Sequence, residues 1–279
     1  MKYKAVISDL DGTLLNSNHT ISKYTQEVIK KVIEKGVKFY IATGRHHLDA
    51  MAFKEMLGLD SFLISSNGAK VHDKDNKEIF SVSIPEGTTA EIINLTSSTK
   101  AHKSIYADDI WYVEEPLEMS DEFHKESAFT YTVKPFEKLK NQSVTKFFFI
   151  SDDEEEISLL HTMLHKKLKN EISLTLSLAS CLEIMNLGVS KGTAIKNMLD
   201  LEGIDLSETI AFGDGLNDLE MLTVVEKGFL MGNHNPKLRA LLPHNEIVKS
   251  NDEDGVANKL REIFLGDCFK FCINSKKLE

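Results

Sequence analysis

Short apolar runs punctuate the chain at Ala5-Val6-Ile7, Val37 to Ala42, Phe62-Leu63-Ile64 and Thr209 to Phe212. Small or polar residues follow each run at once. Runs this short and this continuous predict strands buried on both faces. Between the first two, Val28, Ile29, Val32 and Ile33 recur at helical spacing. Ser22 stands where an N-cap belongs, and Gly36 where a helix ends. Strand, helix and strand with short joints form a βαβ unit, hence parallel strands and a right-handed crossover. The segment from Gly12 to Ile21 reads as a polar flap. A second helix is expected through Leu48, Met51, Met56 and Leu57, stopped by Gly58.

From Val71 to Val82 the period changes, and Asp73 to Lys77 predicts a turn between two short strands. Pro85-Glu86-Gly87 marks a composition shift and a domain boundary. The stretch that follows mixes helices and strands, with no strand end that looks like a site. It holds a helix at Glu91 to Leu95, and a hairpin of Ser104-Ile105-Tyr106 and Trp111-Tyr112-Val113 around Asp108-Asp109. A Phe-rich buried strand follows at Val144 to Ile150. The acids Asp152 to Glu156 read as a helix N-terminus, with Ile157, Leu160 and Leu164 behind and Lys166, Lys167 and Lys169 at the far end. Ile172 to Leu178 and Leu182 to Met185 look like paired strands. The first pattern resumes near Gly188. Ser190-Lys191-Gly192-Thr193 opens a helix, and a helix carries Leu219, Met221 and Leu222. Gly228 to Met231 is a short strand, and Asp252 to Phe264 an amphipathic helix.

Composition narrows the class of protein. The 279 residues carry a net charge of −10, which argues against a general nucleic-acid binder. It does not exclude an anionic small substrate, because one site can be locally positive. Cys181, Cys268 and Cys272 are too few and too odd for a disulfide framework and point to a reducing compartment. Two cysteines close together near one end do not make a zinc site. No apolar run approaches the roughly 20 residues of a membrane span. No leader segment stands before the first strand, so a cytoplasmic location is expected.

The chemistry gathers at Asp9-Leu10-Asp11-Gly12-Thr13-Leu14. Residues i and i+2 of a strand point the same way, so Asp9 and Asp11 can face one site. Gly12 permits a sharp turn, and the Thr13 hydroxyl can hold a carboxylate or an anion. Adjacent carboxylates repel unless a proton or a cation sits between them. The pair therefore suits a hard cation such as Mg²⁺, or a nucleophile beside an acid/base. The plain alternative is an ordinary Asp/Gly turn. In an open parallel sheet, ligands gather outside the carboxyl ends of the strands. Asp9 and Asp11, Thr43 and Gly44, and Asp214 to Asp218 all fall at such ends. Lys191 falls at a helix start, where anions are also favoured.

The stretches SDLDGTLL, IATGR, SSNGA, GVSKGTAI and AFGDGLNDLEML, in this order, resemble the haloacid dehalogenase superfamily, in its Cof-type branch of small-molecule phosphatases. Ser250 to Ala257 resembles the family's tail motif. Ala42 to His47 and Ser66 to Asp73 look like bacterial pyridoxal-phosphate phosphatases that also accept sugar phosphates. The resemblance implies an α/β fold: a Rossmann-like three-layer parallel-sheet core from residues 1–83 and 188–279, with an inserted α/β cap domain at 84–187, hinged near Pro85 and Gly188. It implies that Asp9 attacks phosphorus, while Asp11 protonates the leaving alcohol and then activates water. Mg²⁺ would sit between Asp9, the backbone carbonyl of Asp11, and Asp214, with Asp218 supporting. Thr43 and Lys191 would hold phosphate oxygens, with Asn217, the Leu10 backbone and Gly44 assisting.

The expected partner is a small phosphorylated metabolite, with no nucleic acid and no membrane, and the chain a monomer or weak homo-oligomer. A phosphosugar mutase with the same site, and a non-catalytic phospholigand-binding protein, are the competing functions. Several of these residues also have ordinary readings: Lys191 as a solvated helix lysine, Thr43 as a cap, Asp218 as a buttress. Arg45, His46 and His47 fit surface or supporting roles as well as substrate contact. Asn233 borders the site, and Trp111 packs the hairpin rather than a substrate ring.

Overall fold

The computed structural model describes residues 2–117 and 124–266. Cys268, Cys272 and the aromatic tail at Phe269 and Phe271 lie outside the described residues. In chain order the first strands are β1 Ala5–Ser8, β2 Lys38–Ala42, β3 Leu63–Ser65, β4 Lys70–His72 and β5 Glu78–Ser81. Next come β6 His102–Ala107, β7 Ile110–Val113, β8 Tyr131–Val133, β9 Lys146–Ile150, β10 Ile172–Leu178 and β11 Cys181–Asn186. The last are β12 Thr209–Gly213, β13 Lys227–Leu230 and β14 Glu246–Ile247. The helices are α1 Lys23–Glu34, α2 His47–Met56, α3 Glu86–Leu95, α4 Glu154–Leu168, α5 Lys191–Glu202, α6 Leu219–Val224, α7 Pro236–Leu241 and α8 Gly255–Leu260.

One sheet runs β14-β13-β12-β1-β2-β3-β4-β5. Its strands are parallel from β14 to β3, and β4 and β5 add an antiparallel edge. Strand alternation sorts the apolar side chains onto two faces. Val6, Phe39 and Ile41 pack with α1, α2 and α8 through Ile29, Phe53 and Leu260. Ile7, Tyr40 and Ala42 pack with α5 and α6 through Ile195, Met198 and Met221. Helix, sheet and helix make three layers, the doubly wound α/β arrangement expected. From β1 the chain winds outward to β2 and β3, and later to β12 on the other side. The crevice between β1 and β12 is thus the topological switch point.

The second sheet runs β10-β11-β9-β6-β7-β8. One of its faces, with Ile105, Phe147, Phe149, Leu182 and Ile184, is covered by α3 and α4. The opposite face carries Tyr106, Trp111 and Phe148, with Lys146 and Glu183, toward the first sheet. Asp108 and Asp109 take left-handed φ values of 48° and 60°, which closes the tight β6–β7 hairpin with the right twist. Asp153 caps α4 by accepting from Glu155 N and Glu156 N, so the acidic run serves a helix start.

Some local expectations needed correction. The flap is not polar throughout: Leu14 and Leu15 are buried in the core under a tight turn at Leu10–Leu14. Helix α2 exposes Leu48 and Met56 and buries Ala50 and Phe53. His47, Asp49 and Lys54 are buried on the same helix, so polar as well as apolar positions form its inner face. The carboxy-terminal helix is interrupted at Asp254, whose carboxylate accepts from Ser22 Oγ at 2.5 Å and Thr25 Oγ1 at 2.9 Å. Those bonds hold Asp254 at φ 54°, so α8 begins only at Gly255. No helix among the described residues is long and apolar enough to cross a membrane.

Candidate active site

Strands β1 and β12 pair in parallel with Ser8 opposite Phe212, so Asp9 and Asp214 leave the sheet side by side. Thr13 Oγ1 donates to Asp214 Oδ1 at 2.7 Å, one of the two uses foreseen for that hydroxyl. Gly12 has φ +72°, and a Cβ there would stand 2.3 Å from Asp214 Oδ2. A Cβ on Gly213 would stand 2.6 Å from the Cβ of Asp218. Only glycine lets the two loops approach this closely.

Lys191 opens α5 behind its cap, Ser190, which accepts from Thr193 N at 3.1 Å. Its side chain is fully buried, with Nζ 2.8 Å from Asp9 Oδ1 and 2.6 Å from Asp218 Oδ1. It is therefore not a solvated lysine. Asp218 Oδ2 accepts from the backbone N–H groups of Asp214 and Gly215, both at 2.9 Å. With both oxygens engaged, Asp218 fixes the loop that carries Asp214. Leu10 N donates to Asp9 Oδ1 at 2.7 Å.

Asp9, Asp214 and Asp218 each bring one oxygen within 4.8 Å of the others. Buried Asp9 and Asp218 share the ammonium of Lys191 with half-buried Asp214 alongside, and the imbalance shows in the proton affinities of Asp9 and Asp214. Burial, then the Asp218 charge, pushes Asp9 well above the usual carboxylate range against the pull of Lys191. Burial, then Asp218, raises Asp214 to about 7. Burial draws Lys191 down, but Asp218 and Asp9 outweigh it and hold the ammonium above its ordinary value. Such a cluster lacks positive charge. Its donors are all oxygens and suit a hard divalent cation such as Mg²⁺. The residues present fit that ion, with Asp9 and Asp214 as side-chain ligands.

The expected phosphate side lies across the crevice. Thr43 and Gly44 follow β2, and buried Thr43 Oγ1 accepts from Arg45 N at 3.1 Å. Asn67 follows β3 with φ 56° and donates its N–H to Thr43 O at 2.9 Å. Asn217 Nδ2 donates to Asn67 Oδ1 at 3.2 Å. Loops from three strand ends are thus tied together. Asn67 was given no role from sequence, although it stands at a strand end in a motif already noted.

The Asp11 carboxylate stands apart from the other three. Arg45 grips it with Nε at 2.8 Å and Nη2 at 2.6 Å, while Nη1 reaches Asp49 at 3.0 Å. Arg45, His46 and His47 are buried, which removes the surface reading for all three. Burial, then the neighbouring His47, lowers His46 to about 3; burial, then His72, lowers His47 to about 4. Asn233 does border the site, donating to Gly12 O at 2.7 Å. Trp111 is buried among Tyr106, Val113 and Phe148 and packs the hairpin.

The second sheet also reaches into the crevice, although none of its strand ends looked like a site. Lys146 Nζ donates to Gly44 O at 2.7 Å and pairs with Glu183. Glu183 Oε2 accepts from Asn67 Nδ2 at 2.7 Å. Asp109 at the hairpin tip meets Lys70 at 2.6 Å, and His124 and Ser127 both meet Asp49. The available signal was a lone charge inside each apolar strand, since such residues are rarely buried without a purpose. Beside this network lies a cavity of about 330 Å³ bounded by Asn67, Lys191, Asn217, Thr175 and Met185.

The sequence profile of the haloacid dehalogenase-like hydrolases matches residues 6–260. A Haemophilus influenzae protein with a provisional phosphatase name is 36% identical over 95% of this chain and 98% of its own length. The HMP-PP phosphatase of Serratia proteamaculans is 32% identical, covering 93% of this chain and 94% of its own. A haloacid dehalogenase-like hydrolase of B. subtilis superposes with a TM-score of 0.84 at 25% identity, over 93% of this chain and 99% of the other. The chain belongs to the haloacid dehalogenase-like hydrolases, in their Cof-type phosphatase branch.

Proposed function

We propose that the protein is a Mg²⁺-dependent phosphomonoester hydrolase that works through an aspartyl-phosphate on Asp9. One observation carries the reading: Lys191 bridges Asp9 and Asp218, with Asp214 alongside, at the switch point of the parallel sheet. Residues 1–83 and 188–279 serve as the catalytic core and residues 84–187 as the cap.

Asp9 attacks phosphorus as the bond to the leaving oxygen breaks. Asp11, whose two oxygens the Arg45 fork holds in this structure, turns from that fork to give its proton to that oxygen. Asp11 then takes a proton from the water that attacks the phosphoryl group, which frees Asp9 and inorganic phosphate. Thr43, Lys191, Asn217 and the N–H groups of Leu10 and Gly44 hold the phosphoryl oxygens. Asp9, the Asp11 carbonyl and Asp214 would hold Mg²⁺, which would supply charge neutralisation for both the phosphoryl group and the carboxylates. Phosphoryl transfer needs positioning and charge balance above all, and these groups provide both. The second sheet excludes bulk water from the crevice.

The substrates are small phosphorylated metabolites, with pyridoxal phosphate and sugar phosphates first. The segments at Ala42 to His47 and Ser66 to Asp73 support that choice, and the name of the Serratia relative adds HMP-PP to the panel. The test is a phosphate-release screen with Mg²⁺, with excess chelator, and with Mg²⁺ restored. Turnover lost with chelator and regained with Mg²⁺ is expected. Turnover that persists in chelator contradicts the metal role. Isomerised sugar with little free phosphate indicates a mutase.

A further inference from the structure

We propose that His46, His47 and Asp109 form a metal site of their own, for a divalent transition ion such as Zn²⁺, that pins the β6–β7 hairpin to the start of α2. The inference goes beyond the phosphatase reading and shares no residue with the Asp9, Asp214 and Asp218 group. One ligand atom from each of the three lies within 4.8 Å of the others. The ring centroids of His46 and His47 stand 4.3 Å apart, and His47 Nε2 is 3.7 Å from Asp109 Oδ1. That second distance is too long for a hydrogen bond. It is close to the separation of two ligands on one tetrahedral ion, about 3.3 Å for bonds of about 2.0 Å. His46 and His47 begin α2 beside the first sheet, while Asp109 sits in the tight turn of the second. One ion there spans the two.

The donors select the ion. Two imidazoles and one carboxylate suit Zn²⁺ and its first-row neighbours, whereas the oxygen-only group at Asp9 suits Mg²⁺. Three protein ligands leave a fourth position for water. His47 Nδ1 is buried with no hydrogen-bond partner among the described residues. A buried polar ring left incomplete is the exception in folded proteins, and an ion that takes up its lone pair completes it. The surroundings accept the added charge. Asp109 Oδ1 holds Lys70 at 2.6 Å, but a carboxylate has two oxygens and can hold Lys70 and an ion together. Lys70 also keeps Glu78 at 2.9 Å, and the two carboxylates outnumber the one ammonium, which favours a cation. Binding costs His46 one long bond, accepted from Leu48 N at 3.3 Å. His72 stacks on His47 at 4.4 Å and Phe129 on His46 at 4.7 Å, so neighbours hold both rings in place.

The test titrates Zn²⁺ into the full chain by calorimetry, with Mg²⁺ in large excess to occupy the oxygen-only group. One Zn²⁺ per chain is expected. The double variant His46→Gln, His47→Gln should bind Zn²⁺ more than about 100-fold more weakly, since even the outer partners of metal ligands count for about 10–100-fold. Asp109→Asn keeps an oxygen for Lys70 and lies at a half-exposed turn, so the fold survives it. It should weaken Zn²⁺ by about 10-fold or more. Zn²⁺ should also raise the unfolding midpoint of the wild type, and raise it less in Asp109→Asn. No Zn²⁺ uptake by the wild type overturns the proposal and needs no variant. Uptake equal in the wild type and Asp109→Asn overturns it even if the buried histidine substitutions unfold the chain. Uptake lost in Asp214→Asn and kept in the histidine variant also overturns it, because the ion then sits among the Asp9 carboxylates. None of these readouts uses turnover, so failure of the phosphatase reading leaves them unchanged.

Discussion

The crevice has two walls that handle buried charge in opposite ways. On the core wall, Asp9, Asp214 and Asp218 surround a single Lys191, and two of the three carboxylates are pushed toward holding protons. On the cap wall, Lys146 and Glu183 match one to one. The unbalanced wall is the one that the proposed mechanism completes with a cation and a phosphoryl group, whereas the balanced wall calls for no further charge.

The sharpest way to break the contrast is to remove Lys191, the cation that bonds Asp9 and Asp218. Lys191→Met leaves three carboxylates facing each other, and breaking such a buried pair typically costs about 3–5 kcal/mol. Thermal or denaturant unfolding should show that loss, and kcat should fall by about 10²–10³ with one phosphoryl contact gone. An unchanged midpoint would mean that the ammonium does not hold the carboxylates together.

The next test uses pH to separate the walls. Asp214 has a folded pKa of about 7, above its ordinary 3.8. Between those values the folded state holds the extra proton, so the metal-free protein gains stability from Asp214 as pH falls from about 7 toward 4. Mg²⁺ must displace that proton, so its affinity should weaken as pH drops below about 7. Calorimetric Mg²⁺ titrations at several pH values check this, and Asp214→Asn should abolish the trend.

How much of this was visible in advance varied with the kind of signal. Asp9, Thr43, Lys191 and Asp214 could be placed because each follows an apolar run or opens a helix, and strand ends of a parallel sheet share one edge. The core winding followed from the same runs. For Arg45, His46 and His47 the surface and supporting readings could not be separated, because polar residues beside a helix start look solvated until another element covers them. Lys146 and Glu183 were not singled out because the second sheet meets the Gly44 and Asn67 loops only in three dimensions. Asp254 broke a helix through bonds to Ser22 and Thr25, far away in sequence and invisible to local periodicity.

The smallest expected effect concerns that histidine cover. His46 and His47 are buried with pKa values of about 3 and about 4, below the usual 6.5. The unfolded chain takes up protons first as pH falls below 6.5, so these residues favour unfolding on acidification, opposite in sign to Asp214. Each contributes up to about 1.4 kcal/mol per pH unit until its folded pKa is reached. Replacing both with glutamine should flatten the acid limb of stability measured in denaturant. A limb of unchanged slope would show that other groups govern acid unfolding.

The most direct measurement is acid-quenched mass spectrometry of the peptide containing Asp9, during turnover with Mg²⁺ present. A single phosphoryl group on Asp9, absent with chelator and absent in Asp9→Asn, is the predicted result. Steady phosphate release with Asp9 unmodified, or with the phosphoryl group on another residue, would contradict the account.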